Sequence, residues 1–354
     1  MQHVIVVIMQ NNSFDHLFGM FPPANGNTVN GLNPNDPGYV QTDKAGAAVS
    51  PFLFVGLTPN FPEGWDNYRL DWDNGLMDKF AWNGGDAAMG YFDNSTQGMS
   101  TLWNWANQYA LADNYFSSSF GEAPTNQLYM VAAQDLDRTY SVQPYYDACK
   151  SDTDAKPYEF PNLGEQMTQA GISWAVYQEN FKDCSQANPE HNPFLYLTNT
   201  YNAPNLQDYT NFAPALQDGT LPAVSFVIPN SAHDLHPGFD EPVQTGVTFL
   251  ENLVQAVKSS SAWPSTAIVI TFDTAGGWYD HVPPPSVDDQ GLGFRVPTIV
   301  ISQYAKQGYV SHVQMDDVSI LNFIQWNWNL PKLSEVEARQ KQSNNMLDMF
   351  QGLQ

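Results

Sequence analysis

Basic residues are scarce in this chain of 354 residues. It has 13 lysines and arginines against 37 aspartates and glutamates, which gives a formal net charge of −24 at pH 7. A surface with this charge repels phosphate backbones, so the composition argues against nucleic-acid binding. It suits a soluble protein in an acidic or extracellular setting, although a solvated acidic surface without a special role explains it equally well.

Long apolar runs are also missing. No stretch approaches the roughly 20 residues that a helix needs to cross a bilayer, so the sequence predicts no transmembrane segment. No basic and apolar leader precedes the strand-like residues 4–9, and we expect that any signal peptide has been left out or never existed. Hydrophobic residues make up 42% of the chain, which is enough for one large core.

Cysteine is limited to two residues, Cys149 and Cys184. Both stand in polar, loop-like sequence, where a surface disulfide is expected rather than two buried thiols. Disulfides persist in oxidising compartments. The sequence therefore predicts a secreted or periplasmic protein.

Strand-like and helix-like segments alternate along the chain. Runs of β-branched and apolar residues predict strands, and apolar residues three or four positions apart predict helices. This alternation is typical of a mostly parallel sheet covered by helices on both faces. The predicted strands are residues 4–9, 172–177, 223–228, 266–272 and 296–302, and the predicted helices are residues 100–112, 125–133, 162–170, 247–258 and 317–328.

Two long segments interrupt the alternation, at approximately residues 22–78 and 183–222. Both are rich in Asn, Pro, Gly and aromatic residues, and loops of this length inside a compact domain are usually functional. No repeat, low-complexity tract or linker divides the chain. We therefore predict one domain over residues 1–354, in which the two insertions form a cap over a site.

Polar side chains follow four of the predicted strands, at the edge where an open α/β sheet binds its ligands. Amide, carboxylate and imidazole groups at such an edge predict a metal or phosphate site. Each residue alone has a simpler explanation, since an aspartate that closes a strand is often a turn residue and a loop histidine often lies on the surface. The residues are Gln10, Asn11, His191, His236, Asp273 and Thr274.

The chain carries four ordered motifs: Gln10-Asn11-Asn12-Ser13-Phe14-Asp15-His16, His191-Asn192-Pro193-Phe194, His236-Pro237 and Asp273-Thr274-Ala275-Gly276-Gly277-Trp278-Tyr279-Asp280-His281. In this order they resemble the motifs of the bacterial phospholipase C and acid phosphatase type of phosphoesterase, a branch of the alkaline phosphatase-like superfamily. The resemblance implies an α/β fold, an alkaline phosphatase-like three-layer α/β/α sandwich around a mostly parallel sheet. It also implies hydrolysis of a phosphate ester, at a cleft on the carboxyl ends of the strands.

The resemblance implies roles for individual residues as well. In such an enzyme imidazoles protonate the leaving group, and a divalent metal (Ca, Zn or Mg) polarises the phosphoryl oxygen. By position in the motifs, the catalytic residues are His191, His236, Asp280 and His281, the phosphate contacts are Gln10, Asn11 and Asn126, and the metal ligands are Asp273 and Asn11.

The departures from the family pattern lie at positions that take part in the reaction. Gln10 stands where the family has a metal-binding Glu, and Thr274 stands where a second acidic ligand is usual. Asp273 is then the one carboxylate left at these positions. Because hard cations are held by carboxylate charge, the affinity for a divalent metal should fall sharply.

The nucleophile departs from the pattern too. The family's Gly-Pro-Thr-x-Pro-Asn-Arg becomes Gly-Glu-Ala-Pro-Thr-Asn-Gln here. When the two are registered on Asn126, the nucleophilic Thr falls on Ala123. Thr125 is the nearest hydroxyl and substitutes for it if the turn is rearranged. Following Pro124, Thr125 also has a structural explanation as the cap of the predicted helix.

Two classes of function follow. The first is a hydrolase of phosphate esters with a remodelled centre, which acts on a phosphorylated small molecule or a phospholipid head group. The second is a catalytically impaired relative that serves as a binding or structural protein. An esterase with altered, metal-independent chemistry lies between them, with histidine and carboxylate groups in place of the metal.

Overall fold

A computed structural model describes residues 1–135, 157–183, 186, 188–334 and 336–353. Cys149 and Cys184, and with them the predicted disulfide, lie outside the described residues. The helices are α1 Phe14–Phe18, α2 Trp65–Trp72, α3 Phe80–Gly84, α4 Met99–Gln108, α5 Ala123–Ala132, α6 Leu163–Gln169, α7 Phe212–Gln217, α8 Val243–Ser259, α9 Asp317–Asn327 and α10 Glu337–Gln342. The strands are β1 His3–Met9, β2 Gln41–Thr42, β3 Ala48–Val49, β4 Phe52–Leu53, β5 Gly90–Tyr91, β6 Ala110–Ala112, β7 Tyr115–Phe116, β8 Trp174–Gln178, β9 Leu206–Asp208, β10 Val224–Ile228, β11 Thr266–Phe272, β12 Thr298–Ser302, β13 Tyr309–Ser311 and β14 Met315–Asp316.

Eight strands form the central sheet, in the order β13-β6-β12-β11-β1-β10-β8-β9. β12 runs antiparallel to its neighbours β11 and β6, and the other neighbouring strands pair in parallel. The carboxyl ends of β11, β1, β10 and β8 therefore meet at one edge of the sheet. This is the edge at which the sequence predicts the site.

Helices cover the sheet in two groups. The central strands β1 and β11 are buried along almost their whole length, which requires cover on both faces because successive side chains point to opposite sides. One group packs α4 and α7 against α8, and the other packs α5 against α6 and α9, with α10 against α9. The predicted three-layer α/β sandwich around a mostly parallel sheet is confirmed.

Two boundaries differ from the predictions. The helix expected over residues 100–112 ends at Gln108, and Ala110–Ala112 forms β6, because pairing with β12 and β13 overrides the local helical spacing. The helix expected from Thr125 begins at Ala123, and Glu122 is its N-cap residue. Thr125 is thus the third residue of α5, and the prediction that it caps the helix is wrong.

The first insertion packs onto the sheet edge through an apolar cluster of its own. Its core is Trp278, whose ring lies against those of Phe61 and Phe54 at 4.7 and 5.5 Å between centroids. Gly277 allows this approach, because a Cβ there would lie 2.5 Å from the Phe61 side chain. No helix among the described residues has both the length and the apolar character to cross a membrane.

Candidate active site

The register of the central strands brings Gln10 and Asp273 together. Met9 pairs with Phe272 across β1 and β11, so the residues that follow them are neighbours. The Gln10 side-chain amide donates a hydrogen bond to Asp273 Oδ2 at 2.7 Å. Gln127, from α5, donates to the same oxygen at 2.7 Å. Asp273 Oδ1 is buried and has no hydrogen-bond partner among the residues that the structure describes.

This environment keeps a proton on Asp273 near neutral pH. Burial raises the pKa of Asp273 to about 7, and the two glutamine hydrogen bonds oppose that shift only in part. Burial likewise raises the pKa of the nearby Asp234 to about 8. A carboxyl that holds its proton costs less to bury than a carboxylate, which explains how both acids can be fully buried.

Asn11, Glu63, His191 and His236 line a cleft of about 390 Å³, whereas the buried Gln10 and Asp273 do not line it. The Asn11 amide nitrogen donates to Glu63 Oε2 at 2.7 Å and lies 3.0 Å from His236 Nε2. Tyr68 donates to the same Glu63 oxygen at 2.9 Å. Burial raises the pKa of Glu63, while the neighbouring His236 and the hydrogen bonds from Tyr68 and Asn11 oppose the shift. The cleft is also lined by Asn60, Phe61, Glu122, Ala123, Pro124 and Glu190.

Hydrogen bonding fixes the tautomer of neutral His236. Its Nδ1 lies 2.5 Å from the carbonyl oxygen of Pro237, which can only accept, so Nδ1 carries the hydrogen. Nε2 then presents a lone pair toward the cleft, where it accepts from Asn11. Asp234 holds the loop by accepting from the His236 backbone N–H at 2.9 Å. A neutral imidazole with a positioned Nε2 lone pair is suited to act as a general base.

His191 is held neutral. It ends a short 3-10 turn and is only 8% exposed. Burial, and then the neighbouring His236, lower the pKa of His191 to about 3. Its Nδ1 is buried without a hydrogen-bond partner. The side chain therefore contributes a neutral ring to the cleft at physiological pH.

The residue at the family's nucleophile position is Ala123, and it lines the cleft without a hydroxyl. Thr125 is buried one residue beyond Pro124, and a Cβ on Gly121 would lie 2.6 Å from the Thr125 methyl group. Thr125 is not among the residues that line the cleft. Asn126 holds the turn before α5, accepting from the Ser119 N–H at 2.8 Å and donating to the Gly121 carbonyl at 3.1 Å. Its contacts are those of a structural residue.

Asp280 and His281 lie in a separate buried ion network. Arg295 donates to Asp280 Oδ1 at 3.1 Å and to Asp15 Oδ1 at 2.9 Å. His281 Nδ1 lies 2.7 Å from Asp15 Oδ2. The Arg295 guanidinium also sits over the Phe14 ring at 4.3 Å. Neither Asp280 nor His281 lines the cleft, so their catalytic roles stay predictions without a contact that supports them.

The donor sets do not fit the divalent metal that the family implies. At the Asp273 position, Oδ2 already accepts two amide hydrogens, and the neighbouring Gln10 and Thr274 add no charge. Asp15, Asp280 and His281 do place ligand atoms within 4.8 Å of one another. There, however, the positive charge of Arg295 occupies the position between the carboxylates.

Several residues of the site were missed by the sequence analysis. Glu63 comes from the first insertion, where it is the first charged residue after the uncharged residues 50–62, and this was the available signal. Gln127 was visible beside Asn126, but nothing in the sequence pairs it with Asp273. Asp234 lies between His233 and His236, and no pattern in the sequence marks it as a residue of the site.

Comparisons with known proteins agree with this architecture. The chain is 25% identical to a non-hemolytic phospholipase C of Burkholderia pseudomallei, over 93% of this chain and 55% of the relative. It is 26% identical to phospholipase C B of Mycobacterium tuberculosis, over 93% of this chain and 74% of the relative. Murine ectonucleotide pyrophosphatase/phosphodiesterase 5 shares the fold, with a TM-score of 0.51 at 9% identity over 99% of this chain and all of that one. The Phosphoesterase family profile matches residues 1–331, and the chain belongs to that family.

Proposed function

We propose that this chain hydrolyses a phosphate ester in the cleft, with water as the nucleophile. The observation that carries the proposal is the convergence of Asn11, Glu63, His191 and His236, from four separate segments, at the ligand-binding edge of a Phosphoesterase-family sheet. Water is the proposed nucleophile because Ala123 offers no hydroxyl. The reaction would then proceed in one displacement at phosphorus, without a covalent intermediate.

Each residue has a role that its geometry supports. When the substrate enters, the Asn11 N–H exchanges His236 Nε2 for a phosphoryl oxygen, and the freed Nε2 takes the proton of the attacking water. The Asn11 amide and the N-terminus of α5, whose residues Ala123 and Pro124 line the cleft, stabilise the negative phosphoryl oxygens. Neutral His191 donates a hydrogen bond to the leaving-group oxygen, which departs as the alcohol after taking a proton from solvent, while the proton on His236 returns to solvent. Gln10 and Gln127 act one layer below by holding Asp273, and no step requires a metal.

The charge around the cleft favours one kind of substrate. Glu63, Glu122 and Glu190 line it, and no lysine or arginine among the described residues does. A dianionic phosphomonoester would be repelled by these carboxylates, whereas a phosphodiester with a cationic alcohol carries a positive group for them. We therefore propose a phospholipid head group or a small phosphodiester of this type as the substrate, and a secreted or periplasmic location.

The experiment is a turnover assay on p-nitrophenyl phosphorylcholine and p-nitrophenyl phosphate. We expect the phosphorylcholine ester to be preferred, and His236→Gln to lower its turnover by roughly 10²–10⁴-fold. His233→Gln is the matched control, because His233 pairs with Glu179 at 2.8 Å outside the cleft. Equal residual rates for the wild type and His236→Gln would count against the proposal.

Ligand binding without turnover is the second candidate. It is favoured by Ala123 at the nucleophile position and by Gln10 in place of the usual Glu. In that case the wild type would be inert toward both esters but would bind phosphorylcholine in a calorimetric titration. Glu63→Gln, which removes a cleft carboxylate without changing its shape, would then weaken binding.

A further inference from the structure

An uncharged loop with exposed apolar side chains projects beside the cleft. Residues 50–62 contain no charged residue. Phe52, Val55 and Leu57 in this loop are 38%, 85% and 50% exposed. Gly56 lies between the last two with φ +121°, and a Cβ built on it would have no atom within 4 Å. The tip of the loop is therefore surrounded by solvent, although it carries two large apolar side chains.

The base of the loop is firmly held. The Phe54 N–H donates to the Tyr91 carbonyl at 2.8 Å, and the Phe54 ring packs on Trp278. The Thr58 carbonyl accepts from the Gly238 N–H at 2.8 Å. Fixing both ends of the loop keeps Val55 and Leu57 exposed, since they cannot fold back into the core without breaking these contacts.

The exposed surface is continuous with the cleft. Phe239 is 42% exposed, and its ring lies 5.0 Å from that of His236. A groove of about 460 Å³ is lined by the loop and also by Pro242 and Val243. These two residues also line a smaller cavity that His236 borders. We call the side chains Phe52, Val55, Leu57 and Phe239 the apolar lip.

The charge around the apolar lip favours a zwitterionic lipid surface over an anionic one. In the part of the chain that the structure describes, neither a lysine nor an arginine lines the groove. The two residues after Phe239 are the exposed Asp240 and Glu241. An anionic lipid surface would be repelled by these acids and by the net charge of −24. A zwitterionic surface places quaternary ammonium groups outermost, where they meet carboxylates, and acyl chains beneath, where they meet apolar side chains.

We propose that the apolar lip inserts into a zwitterionic phosphatidylcholine surface and holds the cleft against its head-group layer. The exposed side chains then leave water, and Asp240 and Glu241 face the ammonium groups. This binding needs no catalytic turnover, so it stands or falls separately from the proposed hydrolysis.

The test is sedimentation of the full chain with phosphatidylcholine vesicles, beside vesicles rich in phosphatidylglycerol. We expect binding to phosphatidylcholine and little to the anionic vesicles. Val55→Ser combined with Leu57→Ser should weaken vesicle binding by roughly tenfold or more, because it removes the exposed apolar area without adding charge. Leu76→Ser is the matched control, since Leu76 is 69% exposed but lies outside the groove.

Two results would overturn the proposal. One is no sedimentation with phosphatidylcholine, or equal sedimentation of the lip variant and the wild type. The other is a wild-type dimer in size-exclusion chromatography that the lip variant converts to a monomer, which would make a second copy the occupant. Circular dichroism should show that the lip variant keeps the fold of the wild type. The variant's turnover of the soluble p-nitrophenyl ester should also match that of the wild type.

Discussion

Asp273→Asn tests how the base of the cleft is built. Asparagine has nearly the same shape as a protonated aspartic acid, and its oxygen accepts the amide hydrogens of Gln10 and Gln127 as Oδ2 does now. Its nitrogen takes the place of Oδ1, which has no partner. If the site is the neutral, metal-free network described above, the variant should be more stable than the wild type at pH 8.

The magnitude follows from the pKa of Asp273, which is 3.8 as the ordinary value and about 7 in the folded protein. Because the pKa is higher in the folded state, protonation of Asp273 stabilises the fold. This contribution to the free energy of unfolding is complete below about pH 4 and is lost as the pH rises through 7. Each pKa unit is worth about 1.4 kcal/mol. The variant should therefore exceed the wild type in free energy of unfolding by about 2 kcal/mol at pH 5 and about 4 kcal/mol at pH 8.

Urea denaturation at pH 5 and pH 8 measures this difference in free energy of unfolding between the variant and the wild type. Asp218→Asn serves as the control, because Asp218 is exposed and its replacement should change stability by no more than about 0.5 kcal/mol at either pH. A variant that is less stable than the wild type at pH 8, or a gap that does not widen with pH, would refute the reasoning. So would a calcium-dependent gain in stability that the wild type shows and the variant lacks.

Three further predictions concern the same structure. Arg295→Met should cost about 3–5 kcal/mol in chemical denaturation, because it leaves the buried Asp280 without a cationic partner and Asp15 with His281 alone. The exposed Arg69→Met should cost at most about 1 kcal/mol, and equal losses would contradict the buried network. Calcium or EDTA should leave the melting temperature of the wild type unchanged, because we expect no divalent cation to bind. A bound cation at 100 times its Kd would add about 2.7 kcal/mol of stability, so a clear upward shift of the melting temperature with calcium would show that the protein does bind a metal. Acid quenching during turnover of a phosphorus-labelled diester should trap no covalent label on the wild type, because Ala123 lacks a hydroxyl, and a labelled Thr125 peptide would show that the threonine substitutes after all.

Local sequence patterns predicted much of the architecture. The β-branched runs before Gln10 and Asp273 identified the two central strands, because a strand buried on both faces must be continuously apolar. The same patterns misassigned residues 110–112, where a short strand is formed by its pairing partners and its own spacing suits a helix. The domain prediction over residues 1–354 and the disulfide stay predictions.

What the sequence by itself determined is the family, the strand ends that carry Asn11, His236 and Asp273, and the loss of charge at Gln10 and Thr274. Each of these depends on residue identity within a short motif. Only the tertiary structure decided which groups share an environment. Glu63 reaches Asn11 across 52 positions and Gln127 reaches Asp273 across 146, while Asp280 pairs with Arg295 outside the cleft. Such contacts depend on strand register and on how an insertion packs. Neither of these produces a periodic pattern in the sequence from which the contact could be predicted.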